Sequence, residues 1–131
     1  MLLVDTSAWV EVFRSSSRIN LEEITPLDDV VTCIPIIQEV LQGFRDPRAH
    51  RIAREAMLSL PCVENPLRAE VAVAAAELYR AARRAGLTPR SGVDCLIAEC
   101  AIRNGLTVLH HDRDFEMLAR VSPLEVKRLR R

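Results

Sequence analysis

The sequence predicts an α/β fold in which a parallel sheet is covered by helices on both faces. Short, uniformly apolar runs at residues 1–4, 30–34 and 107–109 have the composition of buried strands. The segments between these runs carry apolar residues at helical spacing. Strands that alternate with helices along one short chain are typical of parallel sheets, because each strand returns to the sheet through a helical crossover.

Size and composition are those of one compact domain, expected to span residues 1–131. The chain is 49% hydrophobic and has only 4 Gly and 7 Pro, which argues against disorder. Its formal net charge is zero, so attraction of nucleic acid must depend on local basic patches. Four cysteines without a Cys-x-x-Cys pair are expected to be reduced. No apolar run reaches the roughly 18 residues of a membrane span, so we expect a cytoplasmic protein that does not enter membranes.

The first half of the chain is predicted to hold three strands and three helices. Thr6 or Ser7 can cap the first helix, whose apolar positions are Trp9, Val10 and Phe13. The three serines from residue 15 open a loop that extends to residue 29 and is expected to include a turn of helix. The remaining predicted elements are a strand at 30–34, a helix from 35 to about 44, a helix at 46–60 and a brief strand at 61–63.

The second half continues the alternation. Asn65 and Pro66 are predicted to cap and begin a helix that Gly86 ends. The remaining predicted elements are a helix at 93–102, a strand at 107–109, a short helix that contains Phe115, an edge strand at 124–126 and a basic tail at 127–131.

Four acids occupy positions where such a fold places functional groups. Asp5 and Asp112 each follow a predicted strand, and the carboxyl ends of parallel strands share one edge of the sheet. Glu39 lies among apolar residues in the helix after the second strand, and Asp94 lies in the first turn of a later helix. Taken singly, these acids also fit a helix cap, a solvated helix position, a dipole-complementing residue and a turn.

The four acids together predict a metal site. Carboxylates that converge without a cation repel one another, so such a cluster implies a bound divalent metal. Hard oxygen ligands select Mg²⁺ or Mn²⁺ rather than zinc. A metal held in this way can activate water and neutralise a phosphodiester, which predicts metal-assisted phosphodiester hydrolysis.

Each of the four acids stands in a short motif. The motifs, in order, are Val4-Asp5-Thr6-Ser7, Glu39-Val40-Leu41-Gln42-Gly43, Asp94-Cys95-Leu96-Ile97-Ala98 and Asp112-Arg113-Asp114-Phe115. With these four motifs the chain resembles PIN-domain nucleases, and in size it most resembles the VapC-type toxins of toxin–antitoxin pairs. The resemblance implies a three-layer α/β/α sandwich and a Mg²⁺- or Mn²⁺-dependent endoribonuclease. The residues that would match the metal-binding and catalytic acids are Asp5, Glu39, Asp94 and Asp112.

The resemblance also implies roles for neighbouring residues and for partners. Asp114 matches an auxiliary acid, and Thr6 matches a position whose hydroxyl supports the first acid. His111 stands where the family usually has Thr or Ser, so Asp112 could be held differently here. The implied partners are an RNA such as tRNA or rRNA, a second copy of the chain, and a VapB-type antitoxin received by a clamp that includes residues 48–60.

Basic residues near the acids are candidates for contact with RNA phosphates. Arg90 is the strongest, because it lies in the loop that leads to Asp94. A solvated helix face accounts better for Arg80, Arg83 and Arg84. His110 and His111 fit structural or substrate-contacting roles better than metal ligation.

Two other classes of function compete with a nuclease. A phosphoryl-accepting receiver or phosphatase-like domain also places an Asp after a strand. The phosphatase-like hydrolases usually have a second Asp two residues later, where this chain has Ser7. A receiver would also use a late lysine, and Lys127 lies in the tail. A catalytically inactive PIN-like binding module would lack one or more of the four acids, and all four are present.

Overall fold

The computed structural model describes residues 1–14 and 19–130, which form a five-stranded sheet and six α-helices. The strands are β1 (Leu2–Val4), β2 (Val30–Cys33), β3 (Cys62–Val63), β4 (Thr107–His110) and β5 (Glu125–Arg128). The helices are α1 (Thr6–Phe13), α2 (Ile34–Gln42), α3 (Pro47–Leu58), α4 (Ala69–Arg84), α5 (Gly92–Arg103) and α6 (Arg113–Arg120).

All strand pairs are parallel, and the order across the sheet is β3-β2-β1-β4-β5. The central strand β1 therefore lies between β2 and β4. Val4 is in register with Leu109, and the backbone N–H of Asp5 donates to the carbonyl oxygen of Leu109 over 2.9 Å. This register brings the residues that follow β1 and β4 to the same edge of the sheet.

The helices pack in two groups, which form the outer layers of the sandwich. Helix α2 contacts α1 and α3, helix α5 contacts α4 and α6, and α2 also contacts α5. Helices α1 to α3 connect strands toward the β3 edge of the sheet, and α4 to α6 connect strands toward the β5 edge. Because crossovers between parallel strands are right-handed, the two groups lie on opposite faces of the sheet. Both faces of the central strands are covered, and Leu3, Val4, Val108 and Leu109 are fully buried. The predicted α/β fold with a central parallel sheet is confirmed.

Several predicted boundaries and faces differ from the structure. Helix α4 begins at Ala69 rather than at Pro66, because the backbone of Arg68 is still extended, with φ −96° and ψ 156°. Strand β5 continues to Arg128, so the predicted basic tail is partly a strand. Leu129, just beyond it, is buried and donates its N–H to the carbonyl oxygen of His110 over 2.7 Å. Val10, expected on the apolar face of α1, is 56% exposed.

The segment between α1 and β2 has one helical turn more than predicted. Two 3₁₀ turns occupy Leu21–Glu23 and Leu27–Asp29, and the three predicted loop serines lie outside the described residues. All four cysteines are free. Over residues 1–14 and 19–130, every helix is too short or too polar to span a bilayer.

Candidate metal centre

Asp5 caps α1 from the end of the central strand. Its backbone is extended, with φ −69° and ψ 158°, and its Oδ2 accepts hydrogen bonds from the backbone N–H of Ser7 over 2.9 Å and from the Ser7 hydroxyl over 2.6 Å. An Asp at this position satisfies a helix N–H that otherwise has no partner. Only 3% of Asp5 is exposed. A capping carboxylate is thus fixed, and buried, at the carboxyl edge of the sheet.

Asp112 repeats this arrangement at the end of the neighbouring strand β4. It caps α6, and its Oδ1 accepts a hydrogen bond from the backbone N–H of Asp114 over 2.9 Å. Asp114 itself is buried in the first turn of α6, where its Oδ2 accepts from the backbone N–H of Arg90 over 2.8 Å. Both acids therefore lie where the helix dipole favours negative charge.

The other two acids reach the same edge from helices. Asp94 lies in the first turn of α5, which Ser91 caps by accepting from the backbone N–H of Val93 over 3.1 Å. Asp94 is buried. Glu39 lies in α2, half-buried, and its Oε1 accepts from the Thr6 hydroxyl over 3.0 Å.

The acids converge. One carboxylate oxygen from each of Asp94, Asp112 and Asp114 lies within 4.8 Å of the others. The pKa of Asp94 is raised from 3.8 to about 8, first by burial of its carboxyl group and then by the negative charges of Asp5, Asp112, Asp114 and Glu39. All five acids thus share one electrostatic neighbourhood, although Asp5 and Glu39 lie outside the group of three.

The first acid shows a similar but smaller effect. Burial raises the pKa of Asp5 from 3.8 to about 6, the hydrogen bonds from Ser7 oppose that rise, and the charge of Glu39 adds to it. Desolvation and like charges both disfavour ionised carboxylates, so without a cation this edge is electrostatically strained.

The donor atoms fit a hard divalent cation. In the described residues, Oδ1 of Asp5 and Oδ1 of Asp114 are buried and have no hydrogen-bond partner. A buried carboxylate oxygen that accepts no hydrogen bond destabilises the folded state, and a bound cation would remove this destabilisation. The donors are all carboxylate oxygens, which suits Mg²⁺ or Mn²⁺ better than softer metals.

The hydroxyl that supports the first acid comes from Ser7 rather than from Thr6. Thr6 donates to Glu39 instead, so the role expected for Thr6 at Asp5 is corrected. The Ser7 hydroxyl oxygen also accepts from the backbone N–H of His111 over 2.9 Å. The sequence predicted Ser7 only as a possible helix cap. The signal for its contact with Asp5 is an Asp followed two residues later by Ser at a helix start, where such side chains commonly bond locally.

The candidate RNA-contacting residues lie in three different settings. Arg90 is exposed, but its guanidinium is paired with the acids: Nη2 lies 3.0 Å from Oδ1 of Asp112, and Nε lies 3.6 Å from Oδ1 of Asp114. His111 is half-buried, with Nδ1 3.4 Å from the carbonyl oxygen of Leu129. His110 is fully buried and accepts the backbone N–H of Asp112 at Nδ1 over 3.2 Å, which fits a structural role.

Comparison with known proteins agrees with this geometry. A family model described as PIN domain matches residues 2–121. Ribonuclease VapC11 of Mycobacterium tuberculosis is 41% identical over 138 residues, which cover 99% of this chain and 100% of that protein.

Solved structures share the fold. The VapBC2 structure from Rickettsia felis, bound to a promoter DNA fragment, has a TM-score of 0.75 at 15% identity and covers 98% of each chain. FitAcB from Neisseria gonorrhoeae has a TM-score of 0.71 at 20% identity and covers 96% of each chain. From the full-length identity and the family match, the chain belongs to the PIN-domain family, among the VapC ribonucleases.

Proposed function

We propose that this protein, as a single PIN domain over residues 1–131, is a Mg²⁺- or Mn²⁺-dependent endoribonuclease toxin. The observation that carries the proposal is the convergence of five acids at one edge of the sheet, with Asp94, Asp112 and Asp114 within 4.8 Å of one another. A fold that brings like charges together at such cost is best explained by a cation that compensates them. VapC relatives named as ribonucleases support RNA as the substrate.

The proposed roles combine the family resemblance with the contacts. The resemblance assigns Asp5, Asp94 and Asp112 to the metal, and Glu39, which accepts a hydrogen bond from the Thr6 hydroxyl, completes the site. Asp114 is an auxiliary ligand or orients the site. When bound, the metal supplies an activated water and neutralises charge on the scissile phosphodiester. Asp94 has a pKa of about 8, so its carboxyl group must release a proton when it becomes a ligand.

Chelation and one matched pair of variants test the activity. We expect the purified protein to cleave RNA in Mn²⁺ or Mg²⁺ and to lose that activity in EDTA. Asp94→Asn should be inactive, whereas Glu99→Gln, which changes an acid on the same helix outside the cluster of three, should cleave at the wild-type rate. Cleavage that continues in EDTA, or in Asp94→Asn at the wild-type rate, would contradict the proposal.

We also propose that a VapB-type antitoxin neutralises the protein by covering a groove beside α1 and α3. This groove, of about 610 Å³, is lined mainly by apolar side chains, among them Trp9, Phe13, Leu21 and Leu60. Phe13 is 37% exposed, and its ring packs on those of Trp9 and Phe44. An amphipathic antitoxin segment could bury this surface. Proteins of the same fold solved as VapBC complexes support this partner. A cytoplasmic location and a homodimeric toxin are part of the same proposal and rest on the family resemblance.

The groove can be tested with one charge substitution. Phe13→Asp should weaken binding of the cognate antitoxin by roughly 30-fold, because aromatic anchors dominate such interfaces. Val73→Asp, at a 65% exposed position on α4, serves as the matched control and should bind as the wild type does. Calorimetry with both purified proteins would measure the two affinities. Equal affinity for the wild type and Phe13→Asp would place the antitoxin elsewhere.

A further inference from the structure

A basic side chain of the protein itself already lies on the acid cluster. The guanidinium of Arg90 pairs with Asp112 over 3.0 Å and with Asp114 over 3.6 Å. These are two of the three acids whose oxygens come within 4.8 Å of one another. The guanidinium thus compensates negative charge at the place where the proposed metal would do so.

The ion pair between Arg90 and the acids is weak enough for another cation to replace the guanidinium. The Arg90 side chain is 62% exposed, and ion pairs formed in solvent contribute little net stability. A divalent cation offers twice the charge and can be coordinated by several carboxylate oxygens at once. Two cations held on the same carboxylates repel each other, so occupancy by one disfavours the other.

The loop around Arg90 does not depend on the guanidinium for its position. The backbone N–H of Arg90 donates to Oδ2 of Asp114 over 2.8 Å, whereas the guanidinium lies near Oδ1. The side chain can therefore leave the acids while the main chain stays attached to α6.

We propose that Arg90 is the resident counter-ion of the metal-free site and that a divalent metal displaces its guanidinium. The inference rests on the proposed metal site and adds a regulatory step to it. The displaced guanidinium stays at the edge of the site, where it can bind an RNA phosphate. Metal loading and the availability of this phosphate contact are thereby linked.

Metal titration of the full chain tests the competition without an activity assay. Calorimetric titration of EDTA-dialysed protein with Mn²⁺ should show binding roughly threefold to tenfold tighter in Arg90→Ala than in the wild type. Arg90→Gln, which keeps a polar side chain, provides a second variant and should behave likewise. Arg80→Ala is the matched control, because Arg80 lies on the same α4–α5 surface but pairs with Glu77 over 3.7 Å, and it should match the wild type.

A second measurement separates displacement from simple charge repulsion. In ¹⁵N-correlated spectra, the Arg90 Nε–H resonance should move on addition of diamagnetic Mg²⁺ toward the position of exposed arginines. An unmoved resonance, or Mn²⁺ affinity in Arg90→Ala equal to or below that of the wild type, would overturn this inference while leaving the metal site in place. Wild-type protein that takes up no Mn²⁺ would overturn the proposed metal site as well.

Discussion

The neighbouring strands β1 and β4 are each followed by an aspartate that caps the next helix, yet the two carboxylates are held differently. Asp5 is buried and receives two hydrogen bonds from Ser7, within its own helix. Asp112 is half-exposed and pairs with Arg90, a cation 22 residues away. Fixed dipoles thus stabilise both strand ends, since Asp112 also accepts a hydrogen bond from the backbone N–H of Asp114, whereas the end of β4 adds an exposed cation beside its carboxylate.

This difference indicates that the two strand ends contribute to the site in different ways. Hydrogen bonds from a capping residue fix where a carboxylate lies, because both partners belong to one rigid turn. An exposed ion pair compensates charge without fixing geometry and can be replaced by another cation. We infer that the β1 end sets the position of the site and that the β4 end exchanges its cation.

Neutralising each strand-end acid should have the largest effect. Asp5→Asn and Asp112→Asn keep a capping side chain, so both should fold. Each should lower RNA cleavage by at least about 100-fold, the upper end of what loss of a supporting partner of a metal ligand costs. Single-turnover assays in Mn²⁺ would measure this.

The same two variants should differ in metal-free stability at pH 8. Asp5→Asn removes a buried charge and should raise the melting temperature, whereas Asp112→Asn removes the partner of Arg90 and should lower it. Shifts of the same sign would break the comparison between the two strand ends.

The pH dependence of the metal-free protein should show the strain at the acids. The pKa of Asp5 is raised to about 6 and that of Asp94 to about 8, both from 3.8, so the folded state keeps protons that the unfolded state releases. Their contribution to stability is complete below the unfolded value and is lost as pH rises through the folded values. Urea unfolding between about pH 5 and pH 9 should therefore show a falling free energy of unfolding from these groups.

Two changes should flatten this pH profile. Asp94→Asn should remove the alkaline part of the decline, and saturating Mn²⁺ should stabilise the wild type most at high pH, where the acids are ionised. A profile that rises across the same range in the metal-free wild type would contradict the raised pKa values.

Removing the Ser7 hydroxyl, which donates to Asp5 at the end of β1, should lower the free energy of unfolding. Ser7→Ala deprives buried Asp5 of a 2.6 Å donor and the N–H of His111 of its acceptor, a loss of roughly 1–2 kcal/mol. Thr6→Val should cost less, because its partner Glu39 is only half-buried. Urea denaturation of the two variants at one pH gives the comparison, and an equal loss would remove the distinction.

Salt should produce the smallest effect. Arg90→Ala should lower the melting temperature of the metal-free protein slightly at low ionic strength and not at all near about 1 M salt, because exposed pairs are screened. The loss in Ser7→Ala should persist, since its partners are shielded from solvent. If the melting temperature of Arg90→Ala fell equally at low and high salt, the pair of Arg90 with Asp112 would be held as rigidly as the contact between Ser7 and Asp5.

The sequence predicted the strands, and the positions of Asp5 and Asp112 after two of them, because each depends on local pattern. Apolar runs identify buried strands, and an acid after a parallel strand must lie at the carboxyl edge. The pattern failed where tertiary contacts decide. The apolar spacing in α1 placed Val10 in the core, but the fold exposes it and buries Glu11.

The contacts of the site side chains could not be predicted in the same way. Thr6 and Ser7 are adjacent and chemically alike, and only the turn geometry determines which hydroxyl reaches Asp5. The pairing of Arg90 with Asp112 joins a loop to a distant helix start, so no local pattern records it. Sequence reasoning identified Arg90 as a basic residue near the site without its present partner.

The main-chain hydrogen bond from residue 90 to Asp114 has a consequence for how members of this family can diverge. Every amino acid except proline offers that N–H, so position 90 can change its side chain without loosening the loop. At the proposed metal site, a neutral or acidic residue there would alter how readily the protein takes up metal while the acids keep their positions. Affinity for the cofactor and integrity of the scaffold can thus evolve separately at one position.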